Sequence, residues 1–327
     1  MARALWFVAP RRVEIRPVQL PRLGPGELLI RTAFTGLSGG TELLAYRGQI
    51  DPGLVLDEAL PGMGGTFRFP FRYGYSAAGT VEASRGPIAE GATVFAFHPH
   101  QDRFVAGADD VIALEDLDAR TATLFPLVET GLQVALEAGS GLGSTVVVLG
   151  LGPVGILAAG LIARAGAQVV GVDPRADRRE AAEAFGVGTR DDTSAIASEA
   201  AGGGGADLVI EASGNPAALA TALELLRHEG TVLVCSWYGT KPVTLDLGGR
   251  FHRRRLSIRS TQVSTIPASM AARWDRTCRR AEALRLLREL PVKVLATHVF
   301  GFEQAQEAFG ALEEGREGLI HAALRFD

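Results

Sequence analysis

The segment Gly150-Leu-Gly152-Pro-Val-Gly155 constrains the fold of this chain more than any other feature. It follows the apolar run Thr145–Leu149 directly and leads into helix-forming residues at Ile156–Ala165. A strand that enters a helix through G-x-G-x-x-G is typical of a turn that binds the diphosphate of a dinucleotide. The first glycine permits the tight turn, the second lets the backbone approach the diphosphate, and the third lets the helix pack on the strand. Glycine-rich turns of this kind also occur for packing reasons alone, so the structural alternative stays open.

The start of the helix and the next strand support a nucleotide site. Pro153 falls in the first helical turn, where its missing N–H is not needed, and the N–H of Val154 and the helix dipole then face an anion. The second strand, Gln168–Val172, ends at Asp173. An acidic side chain there accepts hydrogen bonds from the adenosine ribose and repels a 2′-phosphate, which favours NAD. NADP stays possible because Arg178 and two neighbouring arginines could hold a phosphate.

The rest of the chain divides into three regions. Residues 1–120 hold short β-like runs broken by Gly and Pro, which predicts a mainly antiparallel β domain. Residues 121–260 alternate apolar strands with helices, which predicts an α/β domain with a doubly wound parallel sheet. Residues 261–327 hold further helical and strand-like pieces. The low-complexity run Gly202–Gly205 predicts a flexible turn.

Composition excludes several classes of function. The net charge of −4 gives no basic face for nucleic acid. The N-terminus lacks the pattern of a signal peptide, and no apolar run approaches the ~20 residues that span a bilayer. We therefore expect no nucleic-acid or membrane partner and a cytoplasmic location. The two cysteines, Cys235 and Cys278, form no CxxC pair, so we expect buried thiols rather than a structural zinc site.

Several local segments together resemble one superfamily. They are Gly24-Pro-Gly-Glu27 before a strand, Glu211-Ala-Ser-Gly214 after a strand, and Gly315–Ile320 near the C-terminus. With them, nearly the whole chain resembles the medium-chain dehydrogenase/reductase superfamily, which includes the zinc alcohol dehydrogenases. The resemblance implies a GroES-like catalytic domain at 1–120, completed by 261–327, and a Rossmann dinucleotide-binding domain at 121–260.

The resemblance also implies cofactor contacts outside the glycine-rich turn. Thr130, before Gly131, matches a helix start that touches the nicotinamide in the family. Gly214 matches a turn on the nicotinamide side, and His321 falls where relatives carry a basic residue near the pyrophosphate. The family further implies a homodimer formed by edge-to-edge pairing of the nucleotide-domain sheets.

The zinc ligands of the family are missing. Its G-x-C-G-[ST]-D segment corresponds to Gly36–Glu42, where Ser38 replaces the cysteine ligand. Its G-H-E segment corresponds to Gly74-Tyr75-Ser76, and the cysteine-rich lobe that normally follows is absent. A serine hydroxyl and a phenol are poor neutral ligands for zinc. We therefore predict neither a catalytic nor a structural zinc ion.

The run Gly36–Arg47, with Pro61-Gly62-Met63 and Gly74-Tyr75, resembles a zinc-less branch near bacteriochlorophyllide a dehydrogenase. This resemblance implies oxidation or reduction of an alcohol or ketone on a larger molecule. We expect a zinc-independent oxidoreductase that transfers a hydride between NAD(H) and a small-molecule alcohol or ketone. The alternatives are an NADPH-dependent double-bond or quinone reductase, and a non-catalytic dinucleotide-binding protein.

Hydride transfer without zinc needs a side chain that moves a proton. His98 and His100 flank Pro99 after a strand, and histidine titrates in a suitable range, although two surface-loop histidines fit the same pattern. Tyr75 stands at a zinc-ligand position and is either a proton donor or a packed aromatic. Glu129, beside Thr130, is either an acid or a carboxylate favoured by a helix dipole. Glu42 and Ser38 are further candidates, and a role as a cap or in a turn is the alternative for both.

Overall fold

The structure is a computed structural model that describes residues 1–58, 60, 63–202 and 204–327. Pro61 and Gly62, which contribute to the resemblance above, and Gly203 of the glycine run lie outside the described residues. The chain divides into two compact units. The first comprises Met1–Pro126 and Leu295–Asp327, and the second comprises Leu127–Val294. Residues 261–294, which we expected in the first domain, thus cluster with the second unit.

The strands of the described residues are, in chain order, β1 (Ala2–Ala9), β2 (Arg12–Val18), β3 (Glu27–Leu37), β4 (Ala77–Ser84), β5 (Thr93–Ala96), β6 (Arg103–Gly107), β7 (Val111–Ala113), β8 (Thr145–Leu149), β9 (Gln168–Val172), β10 (Gly188–Arg190), β11 (Ala206–Glu211), β12 (Leu226–Val234), β13 (Ser257–Ser260), β14 (His298–Gly301) and β15 (Ala322–Arg325). The α-helices are α1 (Thr41–Arg47), α2 (Ala119–Ala122), α3 (Phe125–Ala138), α4 (Pro153–Arg164), α5 (Ala176–Glu183), α6 (Ser194–Ala201), α7 (Pro216–Leu225), α8 (Arg276–Glu289) and α9 (Ala305–Glu314).

The second unit is built on a parallel sheet. Within the described residues its strands run in the order β10-β9-β8-β11-β12-β13, and every neighbouring pair is parallel. The central strand β8 is apolar, and Val146–Leu149 are buried, as expected for a strand covered by helices on both faces. The first unit holds a mainly antiparallel sheet in the order β14-β15-β3-β4-β5-β7. The predicted α/β fold class with a second, mainly antiparallel domain is confirmed.

An aromatic core supports the sheet of the first unit. Phe7 on β1 stacks on Phe71 at 5.1 Å between ring centroids and meets the edge of Phe309 on α9 at 5.3 Å. All three rings are buried, and Tyr46 on α1 stacks on Phe309. Buried aromatic pairs of this geometry contribute about 0.5–1.5 kcal/mol each beyond the area that they bury. The core therefore fixes α1 against α9.

Strand register brings three polar segments to one end of this sheet. Thr35 on β3 pairs with Ala77 at the start of β4, and Ala77 pairs in turn with Ala96 at the end of β5. Because neighbouring strands are antiparallel, the residues after β3, before β4 and after β5 leave the sheet at the same end of the strands. These are the segments that begin at Ser38, end at Ser76 and follow Ala96.

Two further findings concern individual elements. No helix among the described residues is long and apolar enough to cross a membrane. Cys278 is exposed on α8, so the expectation of a buried thiol is wrong at this position. Cys235 is half-buried, and burial raises the pKa of its thiol to about 12.

Candidate active site

The three glycines of the glycine-rich turn in the second unit differ in whether packing requires them. Gly150 has φ +94°, and a Cβ there would lie 2.5 Å from the Cα of Ser213. A Cβ on Gly155 would lie 2.0 Å from the carbonyl oxygen of Gly150. Both glycines are therefore required for packing. A Cβ on Gly152 would meet nothing within 4 Å, so the fold of the chain does not require a glycine at the N-cap of α4.

The helix that follows is arranged for an anion. Pro153 occupies the first helical position of α4, and the N–H of Ile156 makes the first intrahelical bond, to the carbonyl of Gly152 at 2.9 Å. The N–H groups of Val154 and Gly155 belong to the first turn, which has no intrahelical acceptors. Helix N-termini with free N–H groups are common anion-binding sites, and the position of Gly152 at the N-cap is open.

Asp173 lies at the end of β9, next to this turn. Its side chain is 3% exposed, and its carboxylate accepts hydrogen bonds from the N–H of Leu151 at 2.9 Å and of Arg175 at 3.0 Å. Arg178 approaches the same carboxylate at 3.3 Å. The guanidinium of Arg175 pairs with Asp177, and that of Arg179 donates to the carbonyl of Asp173 at 2.8 Å. These arginines are therefore engaged by the protein itself.

The turn at Gly214 follows β11 in the same unit. Gly214 has φ +69°, its N–H donates to the hydroxyl of Ser236 at 2.8 Å, and its carbonyl accepts from Lys241. The carboxylate of Glu211 is fully buried and accepts from the N–H of Ser213 at 2.8 Å and from the hydroxyl of Tyr238. The Gly214 peptide is thus fixed from both sides at the carboxyl end of a parallel strand, where α/β folds bind ligands.

Glu129 on α3 is held by an arginine that the sequence does not suggest. Its carboxylate is 4% exposed and accepts from Arg279 on α8 at 3.0 and 3.1 Å. Arg279 Nη1 donates to the side-chain oxygen of Gln133 at 2.7 Å. Thr130 is half-buried beside this pair. A carboxylate that accepts two hydrogen bonds from one guanidinium group is better suited to holding α3 against α8 than to donating a proton.

In the first unit, Tyr75 reaches two hydroxyl side chains of the segment that carries Ser38. Its phenol makes side-chain hydrogen bonds with Ser38 and with Thr41, the first residue of α1. Burial, and then the negative charge of Glu42, raise the pKa of Tyr75 above its ordinary range, although both hydrogen bonds oppose that shift. The phenol therefore stays protonated at neutral pH, and the hydroxyl groups of the three residues form one connected polar cluster.

A buried acid–imidazole pair lies next to these hydroxyls. His100 Nε2 is 2.7 Å from Glu42 Oε2, and His100 Nδ1 is 2.8 Å from the Thr35 hydroxyl. The other oxygen of Glu42 accepts from the N–H of Ser38 at 3.2 Å. Neither His100 nor Glu42 has exposed surface. Gly74 makes room for the ring, because a Cβ there would lie 2.7 Å from His100 Nε2.

His98 lies in different surroundings from His100. Its ring stacks on Phe104 with centroids 3.9 Å apart, and its Nδ1 is 2.9 Å from the carbonyl oxygen of Pro99. Since a carbonyl only accepts, Nδ1 carries the hydrogen and Nε2 carries the lone pair. Burial, the main cause, lowers the pKa of His98 to about 4, and the charge of Arg72 adds to the shift. His98 is therefore neutral at pH 7 and able to accept, but not to donate, at Nε2.

His321 is buried in the first unit, with 3% of its surface exposed. A Cβ on Gly36 would lie 3.0 Å from His321 Nε2, so the glycine lets the imidazole pack on β3. Burial lowers the pKa of His321 to about 4, and the charge of Arg120 contributes. Its predicted contact with the pyrophosphate stays a prediction.

The structure thus brings Tyr75 and His100 together through Glu42, whereas the carboxylate of Glu129 is paired within the second unit. Glu42 was a candidate for the proton chemistry, with a cap or a turn as the alternative, whereas Thr35 and Thr41 were not considered. The pairing of Glu42 with His100 could not be predicted from the sequence. Surface-loop histidines are excluded for His100, which has no exposed surface.

Comparisons with known proteins identify the family. The "Zinc-binding dehydrogenase" family model matches residues 153–279. A probable alcohol dehydrogenase of Mycobacterium tuberculosis (strain H37Rv) is 31% identical over 287 residues, which cover 73% of this chain and 77% of that protein. The chain belongs to the zinc-binding, medium-chain dehydrogenase family. The predictions of the family and of an oxidoreductase are therefore confirmed.

Two further proteins extend the comparison. L-threonine 3-dehydrogenase of Bacillus subtilis is 28% identical over 211 residues, which cover 63% of this chain and 58% of that protein. The matched region thus spans less than two thirds of the length of that relative. Among solved structures, an alcohol dehydrogenase from Escherichia coli CFT073 complexed with NADH has a TM-score of 0.77 at 17% identity and covers 99% of both chains. At this identity the likeness supports the fold alone.

Proposed function

We propose that this chain transfers a hydride between NAD(H) and an alcohol or ketone, and that the hydroxyl of Tyr75, rather than zinc, stabilises the substrate oxygen. The observation that carries the proposal is the hydrogen-bonded set of Tyr75, Ser38 and Thr41. Two of these residues stand where the sequence motifs of zinc-dependent relatives carry metal ligands. Hydrogen-bond donors aimed at a developing negative charge are an established substitute for a Lewis acid.

The chemistry of the donor set argues against zinc. A metal ligand must give up its proton, and burial and the charge of Glu42 hold the pKa of Tyr75 above its ordinary range. Ser38 offers a neutral hydroxyl, and His100 is already bonded at both ring nitrogens. These residues do not fit a zinc site, so no step of the proposed reaction uses zinc.

NAD is the cofactor that we propose, and it would supply the hydride acceptor. Three features support it: the space at Gly152, the carboxylate of Asp173 beside the turn, and arginines that are already engaged. The solved relative from E. coli is complexed with NADH. A 2′-phosphate would meet the charge of Asp173, which costs several kcal/mol by order of magnitude when like charges are juxtaposed.

The remaining groups have distinct roles in this proposal. In ketone reduction, the Tyr75 hydroxyl donates to the carbonyl oxygen as negative charge develops there, and its proton is replaced through the hydroxyls of Ser38 and Thr41. The buried Glu42–His100 pair positions these hydroxyls and touches no substrate, because it has no exposed surface. His98 Nε2 is available to accept a hydrogen bond from the alcohol. Glu129 acts through Arg279 on the placement of Thr130.

Replacement of Tyr75 tests this proposal. In a panel of primary and secondary alcohols and ketones, Tyr75→Phe is expected to lower kcat by about 10²–10⁴-fold, the usual contribution of a general acid or base. NADH binding, measured by its fluorescence, is expected to stay unchanged. Tyr73→Phe is the matched control, because Tyr73 is a buried ring that contacts Tyr75 edge-on. An unchanged kcat in Tyr75→Phe would contradict the assigned role.

The same assays separate the alternative functions. A preference for NADPH with turnover of enones or quinones would replace the proposal by a double-bond reductase, with Arg178 holding the extra phosphate. Tight NADH binding with no turnover on either panel would indicate a non-catalytic dinucleotide-binding protein.

We also propose that the chain forms a homodimer through β13. This strand ends the described sheet of the second unit and pairs only with β12, and all its residues are exposed, including Ile258. An unprotected sheet edge is a template for pairing with a second strand. Ile258→Lys is expected to yield a monomer in sedimentation velocity, whereas a wild-type monomer would rule the dimer out.

A further inference from the structure

A pocket in the first unit is not used by the proposed proton chemistry. Its volume is about 430 Å³, within the range of about 300–1,000 Å³ that is common for ligand sites. We name it the arginine pocket, and its lining includes Trp6, Arg68, Phe69, Phe71, Arg72 and Pro99. Aromatic rings therefore form its walls, and two guanidinium groups supply its charge.

The two arginines have no carboxylate partner within the described part of the chain. Arg72 donates to the side-chain oxygen of Gln101 at 3.1 Å, and its guanidinium lies 5.5 Å from the centre of the Trp6 ring. Arg68 is exposed and makes no hydrogen bond or ion pair with another described residue. Elsewhere in the same unit, Arg3 and Arg103 each pair with a carboxylate. The arginine pocket therefore carries positive charge that no described carboxylate neutralises by direct pairing.

We propose that the arginine pocket binds a carboxylate attached to a planar ring system, as the non-reacting end of the substrate. Guanidinium groups bind carboxylates through paired N–H donors, and aromatic walls favour a flat, apolar body. The part of this inference that concerns the substrate rests on the proposed function. Its link to the reaction is Arg72, whose charge acts on the imidazole of His98, and Pro99, which follows His98 and lines the pocket. Binding energy from a remote group of this kind supports catalysis at the reacting centre.

Carboxylate binding can be measured without cofactor or turnover. In a Trp237→Phe, Trp274→Phe background, Trp6 is the remaining tryptophan and reports on the arginine pocket. Benzoate is expected to change the Trp6 fluorescence in a saturable manner, and benzamide, the neutral isostere, is expected to have little effect. Arg72→Gln is expected to weaken benzoate binding by about tenfold or more, the scale of one lost charged hydrogen bond. Arg85→Gln, an exposed arginine outside the pocket, is the matched control.

A second measurement uses the reaction. Wild-type protein is expected to oxidise 4-(hydroxymethyl)benzoate with a higher kcat/KM than benzyl alcohol, and Arg72→Gln is expected to remove that preference mainly through KM. No saturable response to benzoate, or equal binding by the Arg68→Gln, Arg72→Gln double variant, would overturn the inference. Failure of the proposed function is distinguishable, because it would abolish turnover of both alcohols and leave benzoate binding intact.

Discussion

His100 Nε2 lies 2.7 Å from the carboxylate of Glu42, and both side chains are completely buried. The two residues are 58 positions apart in the chain. They lie in different segments, which leave the sheet at the same end of its strands. The pair occupies the interior beneath hydroxyl groups that stand at metal-ligand positions in related motifs. A buried hydrogen bond therefore connects α1, which follows β3, to the segment that follows β5.

Removal of one member of this pair should be costly. Glu42→Leu leaves Nε2 of the buried His100 without its hydrogen-bond partner, and we expect the free energy of unfolding to fall by about 1–3 kcal/mol. The double variant Glu42→Leu, His100→Leu should lose less than the sum of the single variants, because neither residue is left without its partner. Urea denaturation of the four proteins measures this coupling. For comparison, Glu82→Leu at the exposed pair with Arg103 should cost about 1 kcal/mol or less, and equal losses at both sites would contradict the account.

Gly152 offers a test of the nucleotide site that leaves the fold intact. A Cβ on Gly152 meets nothing within 4 Å, so Gly152→Ala should change the free energy of unfolding by about 0.5 kcal/mol or less. The added methyl group would occupy the space of the diphosphate, and we expect NADH affinity to fall by about tenfold or more. Gly310→Ala on α9, which is equally free of contacts, is the control for both measurements. Unchanged NADH affinity in Gly152→Ala would mean that the turn is structural only.

The stability of the protein should depend on pH through His321. Its folded-state pKa is about 4, whereas the unfolded chain takes up the proton near the ordinary value of 6.5. The unfolded state therefore binds more protons within this window, and stability is lost as the pH falls from 6.5 towards 4. This histidine should contribute a loss of about 2 kcal/mol between pH 7 and pH 5. His321→Asn should be less sensitive over that range than wild type, whereas His228→Asn, at an exposed site, should behave like wild type in urea denaturation.

The sequence was sufficient to predict elements whose cause is local. A strand that runs into G-x-G-x-x-G predicts β8, α4 and the parallel sheet, because a tight turn, a missing donor and a close approach each require a particular residue type. The same local argument assigned the close approach of a ligand to Gly152 and the packing of the helix to Gly155. The surroundings of the two glycines then show that a Cβ has no room at Gly155 and meets nothing within 4 Å at Gly152.

Contacts between distant positions could not be predicted. Arg279 pairs with Glu129 from 150 residues away, and this contact joins α8 to α3 within the second unit. The sequence pattern does not distinguish Arg279 as a buried residue, because several other charged residues stand beside it in the same helix. Likewise, the role of Glu42 depends on His100. The register of β3, β4 and β5 brings the segments that carry these two residues together.

The central claim is that this member of a zinc-binding dehydrogenase family handles its substrate oxygen with Tyr75 and not with a metal. The most direct measurement is the zinc content of protein purified without chelators, determined on the same sample that binds NADH. We predict full NADH binding with no stoichiometric zinc. One zinc ion per chain, lost together with activity in Tyr75→Phe, would contradict the account.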